Sequence, residues 1–372
     1  MTAHAPHEPT LGVLYDLLGV ERDASLADAV HASRALRGGF ANIVLSAAET
    51  EGIPLGPGHA EELHRARRRA AGYRQLGGEL CAMRGVTVHK GPSLARHYPE
   101  GWLRPSGDLD VVAEDEDTLW QVIGSVARRF PVEDPMLSLL QHGDERHLYV
   151  SVGWPAADPQ FTPNFRVEVT TFAYGGEPGV VPMRPAQPAD QWLADLLAIT
   201  EERFQREFDP KDLLDLTCAL NSPTAPAPGL VAAAAEAYLL APELLELCEL
   251  AQRHAALAGG LPRQLAELLW PAAQTESARR ADGPGVPHVE DELGARRAAG
   301  LPLYGMQLAE RLRLGDLRQA VEHHVDADVL LRTPIADFLL VPSELVDPER
   351  YEAARGELAT LAPWPASTAD TD

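Results

Sequence analysis

Basic residues are in short supply: 32 Lys and Arg stand against 55 Asp and Glu in 372 residues, a formal charge of −23. A surface of that sign repels phosphate, which opposes a general phosphate-binding surface and disfavours bulk nucleic acid as a partner, although a local basic groove remains compatible with the balance. Cysteine is rarer. Cys81, Cys218 and Cys248 are isolated, with no Cys-x-x-Cys pair, which excludes a thiolate metal knot and suits small buried hydrophobes in a reducing compartment. Long apolar runs are missing too. The most apolar tract, "GLVAAAAEAYLLAP", is broken by Glu236 and too short for a bilayer, and "MTAHAPHEPT" lacks the basic and apolar regions of a secretory signal, so a cytoplasmic protein without a membrane partner is expected. Several glycine and histidine fingerprints are also lacking. "GGEPG" does not complete a dinucleotide-binding turn, no Walker lysine motif occurs, "GPSLA" has no closing glycine for a nucleophile elbow, and His59 and His64 are five apart, on different helix faces.

What is present is a globular composition, 45% hydrophobic, with length for two to three domains. Residues 9 to 82 carry apolar positions at helical spacing, with a Gly/Pro break at "GIPLGPGHA". The period then changes, and short β-branched segments predict four strands at 86–91, 107–114, 145–152 and 164–172. Between the second and third, "DEDTLWQVIGSVARRF" has acids first and Arg128-Arg129 last, as a helix dipole prefers. A Pro/Gly-rich connector spans 175–190, and helices are expected from there to about residue 330, interrupted at "ADGPGVPHVEDE". "HHVDAD" at 323–328 reads as a solvated cap after a helix, and the last ten residues or so as disordered. The expected organisation is an N-terminal helical segment over 1–82, a small α/β core over 83–185 and a C-terminal helical domain over 186–372.

The chemistry gathers at "RPSGDLDVV". Alternation along a strand sets Asp108 and Asp110 on one face with roughly 6–7 Å between their attachment points. Burying two carboxylates is costly unless solvent, a basic partner or a metal meets them. Magnesium, commonly held by one or two carboxylates and substrate phosphates, fits such a pair, and two metals would suit in-line attack on phosphorus. Upstream, Gly91-Pro92-Ser93 joins a strand to a short helix where backbone N–H groups and a hydroxyl offer phosphate ligands. Downstream, Glu168 alternates with Val167 and Val169; it either faces the acids of a neighbouring strand or pairs with Arg166 on its own side. Lys90 and Arg104 either face a triphosphate or neutralise the acids, and Lys211 opens a helix beside Asp212, where it reads as a surface lysine near an Asp cap.

The order strand-Lys90-Gly91, short helix, Tyr98-Pro99, Arg104-Pro105, Gly107-Asp108-Leu109-Asp110, an acid in a later strand, then "KDLLDL", resembles the uncharacterised nucleotidyltransferase family of the DNA polymerase beta-like superfamily, over about residues 70 to 220. The resemblance implies an α+β or α/β fold with a small mixed-sheet nucleotidyltransferase core flanked by helices. It implies Asp108 and Asp110 as ligands of Mg2+, or Mn2+, and Glu168 as the third acid. It implies Lys90, Gly91, Ser93, Arg104 and Lys211 as nucleotide-binding positions. An NTP, by default ATP, would donate a nucleoside monophosphate to the hydroxyl of an unidentified small molecule, peptide or protein. Two positions depart from the pattern: Pro92 separates Gly91 from Ser93, and Thr170 stands where many relatives carry His. They keep a catalytically silent binding or regulatory module as the alternative; a toxin-like enzyme acting on transfer RNA is disfavoured by the charge.

Overall fold

The computed structural model describes residues 9–254, 257, 260–283, 285, 293–310, 312–315, 317, 319–326, 328–343, 345–362 and 364. Along the chain come α1 (Leu11–Leu18), α2 (Leu26–Ser33), α3 (Phe40–Thr50), α4 (Pro57–Cys81), β1 (Val86–His89), α5 (Gly91–Ala95), β2 (Leu109–Ala113), α6 (Glu116–Arg129), β3 (Glu133–His142), β4 (Glu145–Trp154) and β5 (Phe165–Thr170). Next are α7 (Gln191–Glu201), a 3-10 turn (Glu202–Phe204), α8 (Pro210–Asn221), α9 (Pro228–Ala237), α10 (Ala241–Arg253), α11 (Gly260–Ala281) and α12 (Leu293–Ala298). The chain closes with β6 (Leu303–Glu310), β7 (Val321–Val325), β8 (Asp328–Arg332), β9 (Ala336–Val341) and α13 (Pro348–Thr360). The fold is mixed α and β, with one nine-stranded sheet ordered β1-β2-β5-β4-β3-β6-β9-β8-β7 among the described residues. None of their helices is long and apolar enough to cross a membrane.

Two compact units interleave along the sequence. One comprises Met1–Glu79, Val88–Leu109 and Ala173–Gly285; the other comprises Leu80–Thr87, Asp110–Phe172 and Val286–Asp372. The first is helical. Phe40, Ile43 and Val44 of α3 share its core with Leu196 of α7, Leu214 of α8 and Leu244 of α10, so the N-terminal helices and those after residue 173 form one body instead of two consecutive ones. Local chemistry sets the helix starts. Asp190 accepts from Trp192 N at 2.8 Å to open α7. At α8, Asp209 accepts from Asp212 N at 3.3 Å while Asp212 accepts from Asp209 N at 2.8 Å, a reciprocal capping box with Pro210 in the first turn, and Asp209 also accepts from Lys211 N at 2.8 Å.

The second unit carries the sheet, apart from the ends of β1 and β2 where the chain passes between units. α6 starts at Asp115, whose side chain accepts from Thr118 N at 2.8 Å, and buries Leu119, Trp120, Val122, Ile123 and Val126. That apolar stripe packs on β4 and β5. A satellite core joins Leu308, Leu330, Leu339 and Val341 to Ala354 and Leu358 of α13.

Strands are present at the four expected places, as β1, β2, β4 and β5. β3 is additional, and the expectation of helices to about residue 330 fails: β6 to β9 occupy 303–341. "HHVDAD" is accordingly not a helix cap but the end of β7 and its turn into β8, with Val325 opposite Asp328 and Asp326 at φ 49°. For β8 and β9 the reason is burial on both sides. β9 is buried at all six positions, and a run buried on both faces has no period to separate strand from helix. Pro334 then stops any helix between β8 and β9. Most of "ADGPGVPHVEDE", and all of the tail expected to be disordered except Trp364, lie outside the described residues.

Candidate functional site

The acids of the second unit lie on the sheet face opposite α6. In β2 and β5 the buried positions are Leu109, Val111 and Ala113, and Val167 and Val169, so Asp110 and Glu168 are half-buried on the other face of neighbouring strands. Glu168 stands across from Ser151 on β4 and lies 3.8 Å from Arg166, the same-side pairing read in the sequence. Burial pushes the Tyr149 hydroxyl above its ordinary pKa, and the charge of Glu168 and a hydrogen bond to it add to the shift. The Thr170 hydroxyl is committed, donating to the Phe172 carbonyl at 2.6 Å.

In the first unit, β1 ends in a backbone turn that only a few residues tolerate. Lys90 has φ 50° and Gly91 φ 29°. A Cβ on Gly91 would lie 3.1 Å from Ser106 Oγ, so glycine lets the start of α5 approach the turn that precedes Asp108. Asp108 itself is half-buried and has no hydrogen bond or ion pair among the described residues. Its charge acts on the guanidinium of Arg69, which donates to the Gly107 carbonyl at 2.6 Å.

Four expected nucleotide-binding residues, Lys90, Ser93, Arg104 and Lys211, already face carboxylates. Asp195 of α7, 1% exposed, accepts from the Ser93 hydroxyl, from Lys90 N at 3.1 Å and from Gln191 Nε2 at 3.1 Å. Burial raises its pKa to about 6 in spite of those donors. Lys90 Nζ bonds to Glu202, which lies 3.5 Å from Arg206. Burial alone would raise the Glu202 pKa, but Lys90, Arg206 and Lys211 outweigh it and hold the carboxyl below its ordinary value.

Asp215 of α8 is a second hub. Arg104 grips it with two hydrogen bonds of 2.7 Å, the Tyr98 hydroxyl donates to it at 2.5 Å, and Lys211 Nζ lies 3.5 Å away. Although burial opposes ionisation, Arg104 and Lys211 keep Asp215 well below the usual carboxylate range. Burial lowers the pKa of Lys211, and the nearby charge of Arg104 lowers it further. A Cβ on Gly38 would sit 3.0 Å from Lys211 Cδ, so the Gly38-Gly39 turn makes room for this side chain.

Structure therefore groups Lys90 and Ser93 around Asp195 and Glu202, Arg104 and Lys211 around Asp215, and Asp110 with Glu168 on adjacent strands. Asp195, Glu202 and Asp215 escaped the sequence reading of candidate site residues. Their signal was present: Asp195 and Asp215 occupy the apolar positions of amphipathic helices, where an anion needs a cation. Among the described residues no group of three or more His, Cys, Asp or Glu is gathered so as to hold a metal ion. Asp108 and Asp110 are the two carboxylates from which one cation could draw protein ligands, and the charge of Asp108 already acts on Arg69. No protein-family model, curated protein or solved structure matches the chain.

Proposed function

We propose that the chain is a magnesium-dependent nucleotidyltransferase that moves a nucleoside monophosphate from an NTP to an acceptor hydroxyl. The observation carrying this reading is Asp108, a half-buried carboxylate with no hydrogen bond or ion pair among the described residues, two residues before Asp110 at the entrance of a core strand. In the reaction the acceptor oxygen attacks the α-phosphorus, the bond to pyrophosphate breaks, and the hydroxyl proton passes to a carboxylate, for which Glu168 is the candidate. Bound magnesium would neutralise charge on the phosphoryl oxygens, with Asp108 and Asp110 as its protein ligands. A phosphate path would run along the start of α5. Lys90 and Lys211 serve as its cations only by exchanging Glu202 and Asp215 for phosphate; Arg104, held on both sides by Asp215, fixes the loop.

Incubation with each triphosphate and Mg2+ or Mn2+, followed by mass spectrometry of varied acceptors and a pyrophosphate assay, tests the proposal. Asp108→Asn and Asp110→Asn should each abolish turnover with the fold intact. Full activity in either variant rejects the reading. A second reading, a silent nucleotide-binding module, is favoured by Thr170, whose hydroxyl is committed to Phe172; it expects triphosphate binding with no pyrophosphate release under any acceptor.

A further inference from the structure

A cavity of about 390 Å³ opens in the first unit between α4, α5 and the segment from Arg96 to Ser106. That size lies within the usual range for small-molecule sites. Its apolar wall comes from Ala70, Pro92, Ala95 and Trp102. Its charges are unequal in sign: Arg74, Arg96 and Arg104 line it against Glu100 alone. Arg104 is neutralised by Asp215, but Arg74 is exposed and has no hydrogen bond or ion pair among the described residues. Arg96 is half-exposed; its Nε donates to His97 Nε2 at 3.2 Å and its Nη2 reaches Asp195 at 3.4 Å, leaving the other guanidinium nitrogen for a ligand. In a chain of charge −23, two guanidinium groups with donors to spare over an apolar wall are a local exception.

The lining is also built in advance. Tyr98 is tied to Asp215 at 2.5 Å, and Leu103 N donates to Ser46 Oγ at 2.8 Å. Gly101 adopts φ 84°, where a Cβ would collide with Thr50 Oγ1 at 2.7 Å, so the loop lies tight on α3. Arg67 reaches the Gly101 carbonyl at 3.5 Å, and Arg69 the Ser106 and Gly107 carbonyls at 3.3 and 2.6 Å. Those guanidinium groups hold the backbone of the loop in place. A fixed apolar wall with the exposed guanidinium of Arg74 and the partly paired one of Arg96 at one side recognises a ligand with the matching two halves.

We propose that this cavity binds a small organic anion, a phosphate or carboxylate carried on a ring or short apolar body. The site requires neither Asp108 nor Asp110 and stands whether or not the chain transfers nucleotides. The test is calorimetric titration of the full chain with phenyl phosphate, compared with benzoate, inorganic phosphate and benzyl alcohol. Phenyl phosphate should bind once per chain, and inorganic phosphate and benzyl alcohol more weakly. Arg74→Gln, a surface change that leaves the fold alone, should weaken phenyl phosphate about tenfold or more, the loss expected for one charge-assisted hydrogen bond. Ala70→Phe, which fills the cavity, should do the same with near-ultraviolet circular dichroism unchanged. The Asp108→Asn/Asp110→Asn double variant should bind normally. Absence of saturable binding to the natural chain, indifference to Arg74→Gln, equal binding of benzyl alcohol or inorganic phosphate, or loss of binding in the double aspartate variant would each overturn the proposal.

Discussion

Asp215 shows how one buried carboxylate organises several cations. It is 2% exposed and holds Arg104, Tyr98 and Lys211. Removing Arg104 leaves its charge poorly compensated, a loss of about 3–5 kcal/mol. Arg104→Met should lower the urea-unfolding free energy by that amount, and Arg104→Met/Asp215→Leu should recover a large part, because a hydrophobic pair needs no desolvation of ions. Asp195 behaves differently. Its pKa in the folded chain is raised by burial from an ordinary 3.8 to about 6, so between those values the folded state binds more protons than the unfolded one, and stability falls as pH rises. His89 and His97 work in the opposite sense: burial lowers each to about 4, so they add stability as pH rises from 4 towards 6.5. Asp195→Asn removes the opposing contribution. The variant should show a steeper rise in urea midpoint between about pH 4 and 6 than the natural chain; an unchanged slope would mean that Asp195 ionises normally.

At the scale of elements, β6 meets β9 through a position that tolerates no side chain. A Cβ on Gly305 would lie 2.9 Å from the Phe338 ring. Gly305→Val should destabilise the second unit by about 1–3 kcal/mol through overpacking, read as a loss in thermal midpoint. Asp209→Ala, which deletes one side of the α8 capping box, should cost about 0.5–2 kcal/mol by the same measurement. These elements differ in how legible they were. β2 and β5 alternate buried and half-exposed residues, and α6 carries a cap, a stripe and a charge gradient; each follows from a few neighbouring residues. β3 was hidden by Pro135 and by an irregular register between Glu133 and Met136, which breaks the alternation at its start. β6 has no alternation either, only Leu303 and Leu308 being fully buried, and β8 and β9 are buried throughout most of their length. The acid positions and the Lys90-Gly91 turn were visible as local patterns. Their carboxylate partners on α7 and α8 lie about a hundred residues away, a pairing that spacing does not encode.

For the whole molecule, interleaving decides what can be cut. A fragment of residues 83–185 contains β1 to β5 but not β6, which pairs with β3 at Leu137, Ser138 and Leu139. That fragment exposes a bare strand edge and should aggregate or remain unfolded, checked by size-exclusion chromatography and circular dichroism; a monomeric, cooperatively unfolding fragment would contradict the two-unit division. The same pairing has a consequence for synthesis. Between His142, the end of β3, and Leu303, the start of β6, lie 160 residues. At about 5–20 residues per second, β3 waits about 10–30 s on the ribosome for its neighbour. Its unsatisfied edge is then a client for holding chaperones, and slower elongation of the segment between the two strands should lengthen that exposure and raise the insoluble fraction.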